Sequence, residues 1–198
     1  MARLKSEAEI RVVIYPPPRF LYQVPFQPFG GTGAFNPVTG GFVGGGGDPR
    51  NQVYAIDTPL ADPVREVRDV FLKGLAGHFD AARLIQSAEP LTDDDVRALA
   101  KKFGGGVVLD FQTTLWGLLS GYSVAKPYGL AYLARARVLR LETGRVLWQG
   151  QCEYGGRDPR GNWDNFDTSL AVVEKKFAAA ANVCAQTLLA QFLSTSRQ

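Results

Sequence analysis

The sequence predicts a single α+β domain, with a mixed, largely antiparallel sheet and helices packed on it. Apolar residues recur at helical spacing in the middle and at the end of the chain, and they alternate with a period of two over residues 107–154. A Glu-Thr-Gly turn at 142–144 joins two of the alternating segments into a hairpin. With 198 residues, 45% of them hydrophobic, the chain has the length and composition of one domain with one core.

A strand and a long irregular segment are predicted to open the chain. Residues 9–15, EIRVVIY, alternate and are rich in β-branched types, and Pro16–Pro18 end this strand because proline cannot extend a sheet ladder. Residues 16–50 are rich in Gly, Pro and aromatic residues and have no sustained period. We therefore assign 1–15 to the first strand, 16–50 to a loop inserted in the domain, and 51–198 to the remainder of the same domain.

The first helix has a clear start signal. Asp62 caps it, Pro63 suits the first helical position, and apolar residues then recur at helical spacing as far as Leu75. His78, the one histidine of the chain, follows this stripe. Because no partner of a catalytic base accompanies it, we expect a partly buried ring at the helix end. Residues 82–86, ARLIQ, are predicted to form a short strand.

The second helix is predicted within the segment LTDDDVRALAKKFG. Thr92 is assigned as its N-cap and Asp95 as the capping-box partner, while Asp93 and Asp94 face the positive end of the helix dipole. An acidic triplet is also a pattern to test as a metal site. Consecutive helical residues point in different directions, so the capping role is favoured and no metal ligand is predicted.

Three strands are predicted next, over 107–116, 130–141 and 145–154. The last two form a hairpin with one apolar and one solvated face. The apolar face is expected to consist of Tyr132, Ala134, Ala136, Val138, Val146, Trp148, Cys152 and Tyr154. The opposite face carries Arg135, Arg137, Gln149, Gln151 and Glu153.

A long helix is predicted to end the chain, beginning near Thr168. Its apolar residues recur at helical spacing and define a stripe that faces the core. The stripe consists of Leu170, Val173, Phe177, Ala181, Cys184 and Leu188.

Composition excludes several classes of function. The 22 basic residues are scattered and the net charge is +3, so no nucleic-acid partner is expected. The apolar runs are too short to cross a bilayer, so no transmembrane helix is expected, and residues 1–10 carry no apolar signal core. One histidine and two cysteines without metal-ligand spacing give no catalytic residue, no metal ligand and no cofactor site.

The glycine-rich stretch FGGTGAFNPVTGGFVGGGGDP, residues 29–49, does not have the features of a phosphate loop. A Walker A loop needs Gly-Lys-Ser/Thr after its glycines, whereas here Asp48, Pro49 and Arg50 follow. A dinucleotide fingerprint lies directly between a strand and a helix, and this stretch is far from its next helix. We therefore predict no nucleotide site.

The aromatic residues of 16–50 predict a surface role, because flexible linkers are poor in large apolar groups. Two interpretations stay open: the segment folds back over its own sheet, or it contacts a partner or a second copy of the chain. The apolar stretch 116–129, WGLLSGYSVAKPYG, is a second candidate for such contact. The predicted contact residues are Phe26, Phe29, Phe35, Phe42, Trp116, Leu118 and Tyr122.

Two phrases, LAKKFGGGVVLDFQ and ARVLRLETGRVLWQG, carry a resemblance to a known group. They are similar to soluble domains of bacterial envelope accessory proteins: the TolB amino-terminal domain, the curli secretion lipoprotein CsgG and the lipoprotein LpoB. The matching turn residues are Glu142, Thr143, Gly144, Val146, Leu147 and Trp148, and the resemblance covers residues 62–193. Segment 16–50 has no counterpart in this group.

The resemblance implies a TolB amino-terminal-like fold and a periplasmic location, with a lipid tether to the outer membrane upstream of this sequence. It carries no catalytic residues, because the group shares none. The function expected is a non-enzymatic domain of an envelope accessory lipoprotein, which binds other envelope proteins or itself. An oligomeric secretion-channel component like CsgG, or an enzyme with an unrecognised site, are the alternatives.

Cys152 and Cys184 lie on the inward face of a strand and on the apolar stripe of the last helix. Either they are free buried thiols, or they form a disulfide that joins the helix to the sheet. The periplasmic location that the resemblance implies favours oxidation.

Overall fold

The computed structural model describes residues 9–23, 34–36, 41–43, 53–76, 84–87, 90–123, 126–155 and 169–195. For residues 34–36, 41–43, 120–123 and 126–128 it describes the course of the backbone. His78, Phe26 and Phe29 lie outside the described residues, and the side chain of Tyr122 is not described.

Nine strands and three helices are present in this part of the chain. The strands are β1 Ile10–Ile14, β2 Phe20–Gln23, β3 Ala34–Asn36, β4 Gly41–Val43, β5 Val53–Ile56, β6 Leu84–Gln86, β7 Val107–Ser123, β8 Lys126–Arg140 and β9 Arg145–Gly155. The helices are α1 Val64–Leu75, α2 Val96–Phe103 and α3 Leu170–Thr195. The predicted α+β class is confirmed: three helices pack on a mixed sheet of seven strands.

Strand β7 is the centre of the sheet. One of its edges pairs antiparallel with β8, which in turn pairs antiparallel with β9. The other edge is shared by two strands, because β1 runs parallel to residues 107–111 and β2 runs parallel to residues 117–118. Strand β6 pairs with β1, and β5 pairs with β2. Strands β3 and β4 form a separate two-stranded ladder.

The sheet buries both of its faces. On one face, α1 and α3 cover the main core, in which Phe20, Trp116 and Phe177 meet edge to face at centroid distances of 5.1–5.9 Å. Such aromatic pairs contribute about 0.5–1.5 kcal/mol each beyond their burial. On the other face, Leu99 of α2 packs on a smaller apolar cluster with Val108 and Leu139.

The predicted loop 16–50 contributes a strand to this sheet, which corrects the sequence prediction. Pro16–Pro18 do end β1, but the chain then continues along the same edge of β7 as β2. Phe20 and Tyr22 are fully buried in the main core. Where β2 pairs with β7, a Cβ on Gly117 would lie 2.1 Å from the Leu21 carbonyl oxygen, so only glycine fits there.

The start of α2 differs from the prediction by three residues. Asp95, and not Thr92, is the N-cap, and its Oδ1 accepts hydrogen bonds from the backbone N–H groups of Arg97 and Ala98 at 2.8 and 3.2 Å. The physical reason is that the Asp94 carboxylate binds Arg135 of β8 at 2.6 Å. That contact holds the residues before Asp95 against the sheet.

The β8–β9 hairpin follows most of the predicted pattern. Its turn contains Gly144 with a positive φ of 63°, as the Glu-Thr-Gly phrase predicts. A register shift between Val138 and Leu139 inserts Leu147 as an extra residue of β9. Val146 therefore lies opposite Leu139, and 48% of it is exposed, so its predicted place on the apolar face is wrong.

Helix α3 buries the stripe that its periodicity predicts, from Val173 through Cys184 to Leu188, although Leu170 is at the exposed end. By length and composition, α3 also meets the requirements of a membrane-crossing helix. In this fold its apolar residues pack on the sheet beside α1. The expected absence of a transmembrane helix stays a prediction.

Candidate functional site

Two of the predicted contact residues face each other across a small ladder. Phe35 in β3 is directly opposite Phe42 in β4. Opposite residues of an antiparallel ladder are immediate neighbours. Within the described part of the chain this ladder pairs with no strand of the main sheet. The glycine-rich stretch thus contains a hairpin-like element with an aromatic pair.

Two other predicted contact residues belong to the core. Trp116 is 2% exposed, and its indole Nε1 donates a hydrogen bond to the Pro18 carbonyl oxygen at 2.7 Å. Leu118 is fully buried. In the chain as it stands, these two side chains support β2 and the sheet rather than an outer surface.

The β7–β8 hairpin extends beyond its neighbours. The pairing of β2 with β7 ends at Leu118, and the pairing of β9 with β8 ends at Ala131. Beyond these points the two strands of the hairpin stay paired, from Leu119 opposite Gly129 to a last pair of Ser123 opposite Lys126. Among the strands that the structure describes, none pairs with this end. It is a protrusion formed by two paired strands.

A buried ion pair crosses the sheet on the side of α2. Asp110 of β7 is fully buried, and its Oδ2 accepts hydrogen bonds from Arg137 Nη2 at 2.6 Å and from the Tyr15 hydroxyl at 3.0 Å. Burial is the largest single effect on Arg137 and acts to lower its pKa, but the hydrogen bond to Asp110 and the charges of Asp110, Tyr15 and Asp94 together raise the pKa. Burial, followed by the charge of Asp110, raises the pKa of Tyr15. Arg137 lies on the face of the hairpin that was predicted to be solvated, and at this residue that face is buried.

A second arginine ties the segment before α2 to the sheet. Arg135 Nη2 donates hydrogen bonds to Asp94 Oδ2 and to Gln112 Oε1, both at 2.6 Å. Arg137 Nη2 also donates to the Asp94 carbonyl oxygen at 2.9 Å. The hydrogen bond from Arg135 lowers the pKa of Asp94. The positive charges of the two arginines balance the negative charges of the two aspartates, so these ion pairs support the fold.

The other face of the sheet carries a polar relay beneath the start of α1. Asp62 Oδ1 accepts hydrogen bonds from the Thr113 hydroxyl at 2.6 Å and from the Val64 backbone N–H at 3.0 Å. The Tyr132 hydroxyl lies 3.4 Å from Thr113 Oγ1. Thr113 and Tyr132 are fully buried, and desolvation of Asp62 raises the pKa of its carboxyl group. Sequence reasoning identified Asp62 only as a cap, because Thr113 is distant in sequence.

Cys152 of β9 and Cys184 of α3 form a disulfide with their Cα atoms 5.3 Å apart. Both cysteines are buried, at 4% and 0% exposure. The bridge joins the strand to the helix on the side of the main core. Of the two interpretations of the sequence, free thiols or a disulfide between helix and sheet, this is the disulfide.

The charged and polar groups described above are engaged with one another. Within the described ranges, no three His, Cys, Asp or Glu side chains come together in a way that would hold a metal ion. The carboxylates of Asp94 and Asp110 are paired with arginine, and that of Asp62 is positioned by hydroxyl and amide donors. Together, fold and surfaces define an α+β domain with a separate aromatic ladder and a protruding hairpin.

No family model matches the sequence, and no curated protein matches it. Several solved structures are similar in chain course. The PelC dodecamer from Paraburkholderia phytofirmans is 10% identical with a TM-score of 0.41, over 92% of this chain and 85% of that chain. Protein XCC0632 from Xanthomonas campestris is 10% identical with a TM-score of 0.41, over 98% and 91%.

The lipoprotein GNA1162 from Neisseria meningitidis is 14% identical with a TM-score of 0.32, over 86% of this chain and 96% of that chain. At these identities and TM-scores the likeness supports no conclusion on family or function. Membership of the TolB, CsgG and LpoB group stays a prediction from the turn phrase.

Proposed function

We propose that this chain is a non-enzymatic protein-interaction domain of the bacterial cell envelope. It docks on another envelope protein through the β3–β4 ladder and the protruding end of the β7–β8 hairpin. The observation that carries the proposal is the position of Phe35 opposite Phe42 in a ladder separate from the main sheet. Aromatic residues gathered at one place are typical of protein contact sites.

The disulfide supports the envelope as the location of this activity. Disulfides form and persist in oxidising compartments such as the periplasm, and they are rare in the bacterial cytoplasm. The bridge between Cys152 and Cys184 is therefore in keeping with a chain that has been exported. A lipid tether to the outer membrane is part of the same proposal and follows from the resemblance of the turn phrase.

The test compares wild type with the double variant Phe35→Ala/Phe42→Ala on immobilised protein exposed to a detergent extract of envelopes. The wild type should retain a discrete envelope protein, and the double variant should bind it at least about 30-fold more weakly, since truncation of an anchor aromatic residue costs about 2 kcal/mol or more. Val183→Ala is the matched control, because Val183 is an exposed apolar residue on α3, 46% accessible, far in sequence from the ladder. Equal retention by all three proteins would refute docking through this ladder.

Light scattering on the same proteins separates docking from self-association. A monomer in both wild type and double variant is the result expected for a domain that needs a foreign partner. If wild type forms a discrete oligomer that dissociates in the double variant, the ladder joins copies of this chain, and the channel-type alternative replaces the docking proposal.

A further inference from the structure

A cavity of about 290 Å³ lies between the segment that leads into α1 and the first turns of α3. Leu60 and Phe177 provide apolar wall, and Asp62 lies at the end of the polar relay to Thr113 and Tyr132. The volume is at the small end of the range for sites that hold small molecules, roughly 300–1,000 Å³. The ligand that fits is therefore a compact one.

The ionisable groups around the cavity are mostly acidic. Of the described residues that line it, Asp62, Glu66 and Glu174 are acidic and Arg65 is the one cation. Arg65 and Glu174 are exposed at the mouth, whereas Asp62 is largely covered. At neutral pH an excess of carboxylates attracts a cation and disfavours an anion.

The contacts of Asp62 make it the centre of this site. Its Oδ1 accepts from Thr113 and Val64, and among the described residues no donor reaches its Oδ2. No described lysine or arginine forms a salt bridge with it. Burial raises the pKa of Asp62, so its charged form is costly in the unliganded chain, and a cation brought beside it would offset that cost.

We propose that the cavity binds a small organic ammonium ion with a short apolar chain. The ammonium group binds the free carboxylate oxygen of Asp62, and the hydrocarbon packs on Leu60 and Phe177. An ammonium group fits the single buried carboxylate better than a bare divalent cation does, since calcium and magnesium require several oxygen ligands. An anion is not expected, because the carboxylate of Asp62 already accepts the Val64 N–H at the start of α1 and repels negative charge.

This inference is independent of the proposed docking function. The cavity lies on the α1 and α3 side of the main core, and none of the residues that line it belongs to β3, β4 or the β7–β8 protrusion. Loss of docking and loss of ligand binding are thus measured separately, with different variants.

Calorimetric titration with three probes of equal chain length tests the chemistry: hexylammonium chloride, hexanol and sodium hexanoate. Wild-type protein should bind hexylammonium at least tenfold more tightly than hexanol, since a hydrogen bond to a charged group contributes about 1.5–3 kcal/mol. Hexanoate should show no binding. The comparison uses the intact chain and no substitution, so it does not depend on the folding of any variant.

Asp62→Asn tests the residue, because asparagine keeps the Oδ1 acceptor for Thr113 and Val64 and removes the charge. The affinity for hexylammonium should fall about tenfold, to that of hexanol. Asp57→Asn is the matched control: its carboxylate is 95% exposed, lies on the same segment and should leave affinity unchanged. Equal binding of hexylammonium and hexanol, no binding of any probe, or full affinity in Asp62→Asn would each overturn the proposal.

Discussion

At the scale of single residues, the fold depends on one fully buried charge. Asp110 has no exposed surface, and its carboxylate is held by Arg137 and by the Tyr15 hydroxyl. Transfer of an unpaired carboxylate from water into a protein interior is strongly unfavourable. The raised pKa of Tyr15 keeps its hydroxyl protonated, so it stays a donor at all ordinary pH values.

Replacement of Arg137 by alanine should therefore lower the free energy of unfolding by about 3–5 kcal/mol, because the charge of Asp110 is left buried without its partner. Urea denaturation followed by circular dichroism measures this change. Arg145→Ala is the control, since Arg145 is exposed at the start of β9, and its effect should be within about 0.5 kcal/mol. A loss below about 1 kcal/mol in Arg137→Ala would show that water or another cation reaches Asp110.

At the scale of elements, the start of α2 gives a second prediction. Asp95→Ala removes an acceptor used by two backbone N–H groups, so it should destabilise the protein by about 1 kcal/mol. Thr92→Ala should change stability by only a few tenths of a kcal/mol, because Thr92 does not cap the helix. Paired urea titrations check both. The reverse order of effects would restore Thr92 as the cap.

Sequence periodicity was sufficient for elements whose partners are local. The stripe of α3 and the turn at Gly144 follow from spacing and from one residue that adopts positive φ. Periodicity did not reveal β2, because Phe20 and Tyr22 find their partners on β7, far along the chain. It also placed Val146 on the wrong face, since no residue type marks the extra residue of a bulge.

The same limit applies to the candidate site. The aromatic content of 16–50 indicated contact residues, and Phe35 and Phe42 do lie opposite each other in a ladder. Trp116 and Leu118 have the same apolar character, but both are buried in the main core, where Trp116 contacts Phe20 of β2 and Phe177 of α3. The relay from Tyr132 through Thr113 to Asp62 joins three distant parts of the chain, so no local pattern could indicate it.

At the scale of the whole molecule, the Cys152–Cys184 bridge fixes the terminal helix to the outer part of the sheet. The sequence separation is 32 residues, so in the loop-entropy account reduction should cost about 3–4 kcal/mol of stability. Denaturation with and without dithiothreitol measures this cost, with Cys152→Ala/Cys184→Ala as the reference that reductant should not affect. Thiol titration of the denatured, unreduced protein should find no free thiol, and a count of two would contradict the bridge.

The position of β7 in the sheet has a consequence for synthesis. Both β1 and β2 take their places along β7, and the partner of Ile10 is Val107, about a hundred residues later in the chain. During synthesis the strands β1 and β2 therefore stay without their main neighbour until β7, about a hundred residues after β1, has been made. Such non-local pairing slows folding and leaves strand edges open in the meantime. In the envelope location proposed above, such late pairing would leave the chain unfolded while it crosses a membrane.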